Sequence, residues 1–118
     1  MSPKRGDRVT PPADPSDGWE LRFATTEAVK GWDTLCQQVP SNALTAWTEL
    51  RTRRDQPAPT SRHHCLKGSL ATATHRGIAM EQWQYEVTGG GRIWYLVDID
   101  GRTLWIKATG TGHPKATD

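Results

Sequence analysis

Between residues 83 and 109 the chain reads WQYEVTGGGRIWYLVDIDGRTLWIKAT, and this stretch restricts the fold more than any other. Apolar and polar side chains alternate through it, the period of a strand and not of a helix. Three glycines at 89–91 and the pair Asp100-Gly101 interrupt the alternation, and Asp-Gly between alternating runs is a hairpin signal. The pattern predicts strands over 78–88, 92–98 and 102–109, folded as an antiparallel meander. A strand over 70–74 joins it through the turn His75-Arg76-Gly77. Alternation sorts these strands into two faces. Trp83, Tyr85, Val87, Ile93, Tyr95, Val97, Leu104, Ile106 and Ala108 make an apolar face, which leaves both tyrosines in the core. Gln84, Glu86, Arg92, Trp94, Leu96, Thr103, Trp105 and Lys107 make the other.

An apolar sheet face needs a cover, and the upstream sequence supplies one. WELRFA at 19–24 alternates as a first strand, with Trp19, Leu21 and Phe23 on one side. Thr25 or Thr26 caps a helix whose Val29, Trp32, Leu35, Cys36 and Val39 form one stripe, and Pro40 stops it. Ser41 or Asn42 caps a second helix with Ala43, Leu44, Ala46, Trp47 and Leu50 inward. Its Glu49, Arg51, Arg53 and Arg54 are expected to face water. The fold class is α+β: an N-terminal strand, then a two-helix hairpin on one face of an antiparallel sheet whose other face is free. Residues 1–18 hold four prolines and almost no apolar side chain, and read as a flexible tail before a single domain over 19–118.

The net charge of +2 advertises no polyanionic partner by itself, so any such site must come from local clustering. All four histidines follow Ser61. Cys36 and Cys65 lack metal spacing and suit reduced thiols in the cytoplasm. No apolar run is long enough to span a bilayer. Arg62-His63-His64-Cys65 reads as a solvated basic loop, because neighbouring side chains on an extended chain point apart and cannot share an ion; no metal or other cofactor is expected. The polar face draws most attention. Arg92 follows the glycine turn, and its row mixes cations, a carboxylate and two indoles, the composition that holds a phosphate and stacks a base. The same composition also suits tryptophans paired across strands, or a docking surface for another protein.

The strand-helix-helix-meander order, the Leu-Lys-Gly at 66–68, the run WQYEV, the Gly-turn-Arg of GGGRIWYLVD and the closing LWIKATGTGHPKA together resemble the RelE/ParE superfamily of bacterial toxin-antitoxin systems. The resemblance covers residues 19–115 and implies a small toxin neutralised by a cognate antitoxin in a hetero-oligomer. Members that cleave messenger RNA in the ribosomal A site use no metal. On that pattern Arg92 binds the scissile phosphate, where a planar fork suits the geometry. His113, after the last strand, is acid or base, Lys115 is the next basic position, and Glu86 is a candidate base. Trp94, Trp105, Lys107, Arg76 and Lys67 are the expected contacts to messenger and ribosomal RNA. The chain departs from well-studied relatives in having Gln84 and Glu86 where they carry lysines, and in lacking a C-terminal tyrosine. The superfamily also includes toxins directed at DNA gyrase, and a non-catalytic binding module would use the same fold.

Overall fold

In a computed structural model of the chain, residues 4–9 and 18–110 are described. The elements are β1 (Glu20–Phe23), α1 (Thr26–Gln38), α2 (Pro40–Arg51), β2 (His63–Cys65), β3 (Thr72–His75), β4 (Ile78–Glu86), β5 (Arg92–Asp98) and β6 (Thr103–Gly110), with a 3₁₀ turn at Gly68–Leu70. The sheet order is β1-β6-β5-β4-β2, and β3 pairs with the first half of β4. All pairings are antiparallel except β1 with β6, which run parallel. The result is an α+β sheet with a helix pair on one face, as the alternation and the helical stripes predict. The tail expected over 1–18 lies largely outside the described residues. No described helix is long and apolar enough to cross a membrane.

Thr25 is the cap of α1: its Oγ1 accepts from the Ala28 N–H at 3.0 Å and donates to the Lys107 carbonyl at 2.7 Å. One hydroxyl therefore starts the helix and ties it to β6. Gly31 lets the two come close, since a Cβ there would stand 1.7 Å from the Thr109 carbonyl oxygen. The inward stripe of α1 is Ala28 and Leu35, flanked by Trp32 and Val39, whereas Val29 is exposed. Pro40 ends α1 and is also the first residue of α2, where a missing N–H costs nothing. The expected side-chain cap at Ser41 or Asn42 is absent: Val39 takes the cap position without a side-chain bond.

Three side-chain assignments on α2 and its exit are corrected. Ala43, Ala46 and Leu50 face inward, while Leu44 and Trp47 are exposed. Arg53, expected in water, is 7% exposed. Its guanidinium lies 5.2 Å from the ring of Trp19, 5.1 Å from Trp83 and 5.7 Å from Tyr95, so three aromatic faces take the place of solvent.

The helix face of the sheet carries Trp83, Tyr85, Val87, Ile93, Tyr95, Val97, Leu104 and Ile106, packed against Trp19, Leu35 and Leu50. One assignment moves. Tyr95 pairs with Ile106 but Trp94 pairs with Ala108, so Lys107 is the extra residue of a bulge. Ala108 consequently joins Trp94's side, and Thr109 turns toward α1.

The opposite face, expected to be free, is in large part covered. Met80, Leu96 and Trp105 form a second buried cluster, and Trp94 is buried too. The cause is the length of β4. Its residues Ile78–Met80 pair only with β3, beyond the end of β5. The β3–β4 turn, with Arg76 and Gly77 both at positive φ, brings its tip onto this face. His75 lies 4.5 Å and Arg76 4.9 Å from the Trp105 ring. A further correction concerns the loop at 62–65. His63–Cys65 form a strand on the outer edge of β4, and His63 points inward against Trp83 and Tyr85 at 5.3 Å each.

Candidate functional site

Arg92 opens β5 directly across from Glu86 on β4 and from Gly110 on β6. The glycine turn sets this position. The Val87 N–H donates to the Gly91 carbonyl at 2.8 Å, and the Gly91 N–H donates to Thr88 Oγ1 at 2.9 Å. Gly91 is itself packed, since a Cβ there would meet Thr88 Oγ1 at 3.0 Å and Leu35 Cδ2 at 3.3 Å. The guanidinium is half-buried on the side away from the helices, in the row of Trp94 and Leu96. Its Nε is buried without a hydrogen-bond partner, and among the described residues Arg92 forms no ion pair, even with Glu86 across from it. A half-desolvated guanidinium whose buried Nε–H has no acceptor keeps hydrogen-bonding capacity to spare.

The rest of this face is held by side-chain amides. Gln84 Oε1 accepts from Trp94 Nε1 at 2.8 Å, and Gln82 Nε2 donates to the Leu70 carbonyl at 2.8 Å. Trp94 is 3% exposed and Trp105 8% exposed, so both indoles are floor and not bare stacking platforms. Arg76 covers Trp105 at the far end of the face. Lys107 sits half-exposed in the bulge of β6. Lys67 stands apart, on a groove at the β2 edge that it shares with His64, Cys65 and Trp83. His113 and Lys115 lie outside the described residues. Sequence reasoning therefore names a row, Glu86, Arg92 and Trp94, that the fold brings together, and adds Trp105 with Arg76 further along it.

A second polar cluster escapes the sequence reading. Between α2, β2 and β4 lies a groove of about 440 Å³ lined by Glu49, Arg62, His63, Tyr85 and Glu86 with Asn42, Thr45 and Thr60. The Tyr85 hydroxyl donates to Glu49 Oε2. Burial and then the Glu49 carboxylate push the Tyr85 phenol well above its ordinary value. His63 Nε2 lies 2.5 Å from the Tyr95 hydroxyl. Burial foremost, then the Arg53 charge, lowers His63 to about 4, so its imidazole is neutral near pH 7. Burial likewise raises Tyr95, and Arg53 opposes that rise. The available signal was the double histidine itself: on a strand one of two neighbours must point inward. Glu86 touches both regions, lining this groove while pairing with Arg92. Among the described residues no group of three His, Cys, Asp or Glu side chains is placed to hold a metal ion.

The arrangement of helices and strands has a counterpart among solved structures. The fold is similar to that of a toxin. A copper-bound mutant toxin from Helicobacter pylori superposes with a TM-score of 0.53 at 18% identity, over 79% of this chain and 93% of that one. At that identity the likeness concerns the fold. No protein-family model and no curated protein matches the chain.

Proposed function

We propose that the protein is the toxin of a toxin-antitoxin pair and acts in the cytoplasm as a metal-independent endoribonuclease on messenger RNA in the ribosomal A site. The observation that carries this reading is the row Glu86–Arg92–Gly110, which sets a carboxylate and an under-used guanidinium on neighbouring strands at one end of the sheet. Gly110 faces Arg92, and His113 follows it three residues later in the sequence. The RelE/ParE resemblance and the toxin with a similar fold support the same assignment.

In this mechanism Glu86 takes the proton of a ribose 2′-hydroxyl and the 2′-oxygen attacks the adjacent phosphorus. Arg92 neutralises the charge that gathers on the phosphoryl oxygens. The bond from phosphorus to the 5′-oxygen breaks, His113 protonates that oxygen, and the products are a 2′,3′-cyclic phosphate and a free 5′-hydroxyl. Lys115, Lys107, Arg76 and Lys67 meet backbone phosphates, and a cognate antitoxin blocks access. The coverage of Trp94 and Trp105 favours one second reading, a toxin of the gyrase-directed kind that docks on protein without stacking bases.

The test is induced expression with primer extension on translated messages, for the wild type and Arg92→Ala. Growth arrest with cleavage that Arg92→Ala abolishes is expected. Arrest with intact transcripts rejects the ribonuclease, and inhibition of supercoiling by the purified chain then selects the gyrase reading. Absence of both arrest and cleavage leaves a binding module.

A further inference from the structure

The groove between α2, β2 and β4 has two unlike walls. On the α2 side Thr45 and Glu49 stand four residues apart, neighbours on one face of the helix. The Thr45 hydroxyl donates to the Ser41 carbonyl at 3.1 Å, so toward the groove its oxygen can only accept. The Tyr85 hydroxyl donates to Glu49 Oε2 and likewise keeps only acceptor capacity. An ionised carboxylate accepts and never donates, and Glu49 Oε1 has no partner among the described residues. These three side chains offer acceptors and no donor.

The β2 side is the reverse. Thr60 Oγ1 accepts from the N–H groups of Arg62 at 3.3 Å and His63 at 3.0 Å, which leaves its hydroxyl proton to donate. Arg62 beside it is exposed and forms no ion pair among the described residues. Its charge reaches into the groove: burial and then Glu49 raise the Tyr85 phenol, and Arg62 opposes that rise. The Glu86 N–H donates to the Arg62 carbonyl at 2.7 Å, which carries the β2–β4 ladder one residue further. Arg62 therefore stands across from Glu86 on one side, as Arg92 does on the other.

The complement of these walls is a ligand with N–H donors at one end and an anion at the other. The groove's volume of about 440 Å³ lies in the range of small-molecule sites. Guanine sets N1–H and its N2 amino group side by side on one edge, where a carboxylate accepts from both. The amino groups of adenine and cytosine stand beside a ring nitrogen acceptor, and the N–H of uracil lies between two carbonyls. Either arrangement turns a lone pair toward the carboxylate. We propose that the groove binds a guanine nucleotide, its base on Glu49 and Thr45 and its phosphate on Arg62 and the Thr60 hydroxyl. Glu49 Oε2 keeps a lone pair for the base beside the one that Tyr85 uses. The nucleotide is either free or part of a messenger lying next to the scissile phosphate. The second source rests on the ribonuclease reading, since Glu86 joins this groove to Arg92; the first does not.

Binding is measured on the purified full-length chain, without ribosomes, from amide chemical shifts on titration with GMP, AMP, CMP, UMP and guanosine to about 10 mM. A Kd of about 1 mM or below is expected for GMP, with the other nucleotides about tenfold weaker. Glu49→Gln keeps an oxygen for the Tyr85 hydroxyl but puts an amide donor where the groove had an acceptor. It is expected to weaken GMP about tenfold and to leave UMP nearly unchanged. Arg62→Ala is expected to weaken all four nucleotides alike and to leave guanosine unaffected. Melting temperatures control for folding; if Glu49→Gln unfolds the chain, Thr45→Val replaces it with a smaller loss of GMP binding. No binding at 10 mM, equal affinity for the four bases, or a guanine preference that survives Glu49→Gln overturns the proposal. Bases flanking the cut sites on translated messages separate the two sources. Guanine beside the cuts assigns the groove to the messenger, and cuts without that preference, with GMP still bound, assign it to the free nucleotide. Intact messages reject the ribonuclease, while the GMP titration decides the groove by itself.

Discussion

On one side of the sheet Trp83, Tyr95 and Leu104 lie beneath α1 and α2; on the other, Leu96 and Trp105 lie beneath the tip of the sheet's own β3–β4 hairpin. The helices cover the length of β5 and β6, helped by a glycine that removes the last side chain between α1 and β6. The hairpin reaches only the half of the opposite face near Trp105, where His75 and Arg76 rest on the indole. At the other end of that face stand Glu86 and Arg92, with charges in place of apolar side chains. A face covered from one end leaves Glu86 and Arg92 at its uncovered end, both half-exposed.

The sharpest way to break this contrast is Gly31→Ala. Alanine raises helix propensity by about 1 kcal/mol, yet its Cβ would fall 1.7 Å from a backbone oxygen, and the clash dominates. A net loss of about 3 kcal/mol is expected in urea unfolding; an unchanged midpoint would show that α1 stands further from β6. Next comes Arg92→Ala, which on the proposed mechanism lowers cleavage by about 100-fold. Stability should change by no more than about 0.5 kcal/mol, because the guanidinium makes no ion pair among the described residues. A large stability loss would place Arg92 in the packing of the face and not in its chemistry.

The polar insert on the helix side gives a pH signature. His63 is held near 4 in the folded chain by burial and Arg53, opposed by Glu49 and aided by His64, whereas an unfolded histidine titrates at about 6.5. The unfolded chain therefore takes up the proton first, so this contribution to stability is intact above about pH 6.5 and is lost as pH falls toward 4. His63→Gln should flatten that part of the stability profile; an equally steep profile would assign the slope to other groups. The smallest effect belongs to the hairpin tip. Arg76→Ala removes one cation over Trp105 and should cost about 0.5–1 kcal/mol, with a rise in indole fluorescence quenching by acrylamide.

Much of the candidate row was legible because strand alternation is local. The period of two places Arg92 and Trp94 on one face of their strand, and the short glycine turn, which fixes the register of β4 with β5, adds Glu86 to it. Arg53 and His63 were not legible. Both are polar residues whose burial depends on aromatic rings distant in sequence: Trp19 and Tyr95 for Arg53, Tyr85 and Tyr95 for His63. Nothing in Arg53's own neighbourhood announces that three rings will surround it.

The sequence by itself determined the periods and the punctuation: a helix capped by Thr25 or Thr26, a proline between helices, the meander and its turns, and the two rows of side chains. These follow from backbone sterics and hydrogen bonding within a few residues. Tertiary structure alone decided the parallel pairing of β1 with β6, the bulge at Lys107 that moves Ala108 to the other face, and the fold-back of the hairpin onto Trp105. Each is set by which distant surfaces meet and how closely, a free-energy balance of packing that no local window of residues contains.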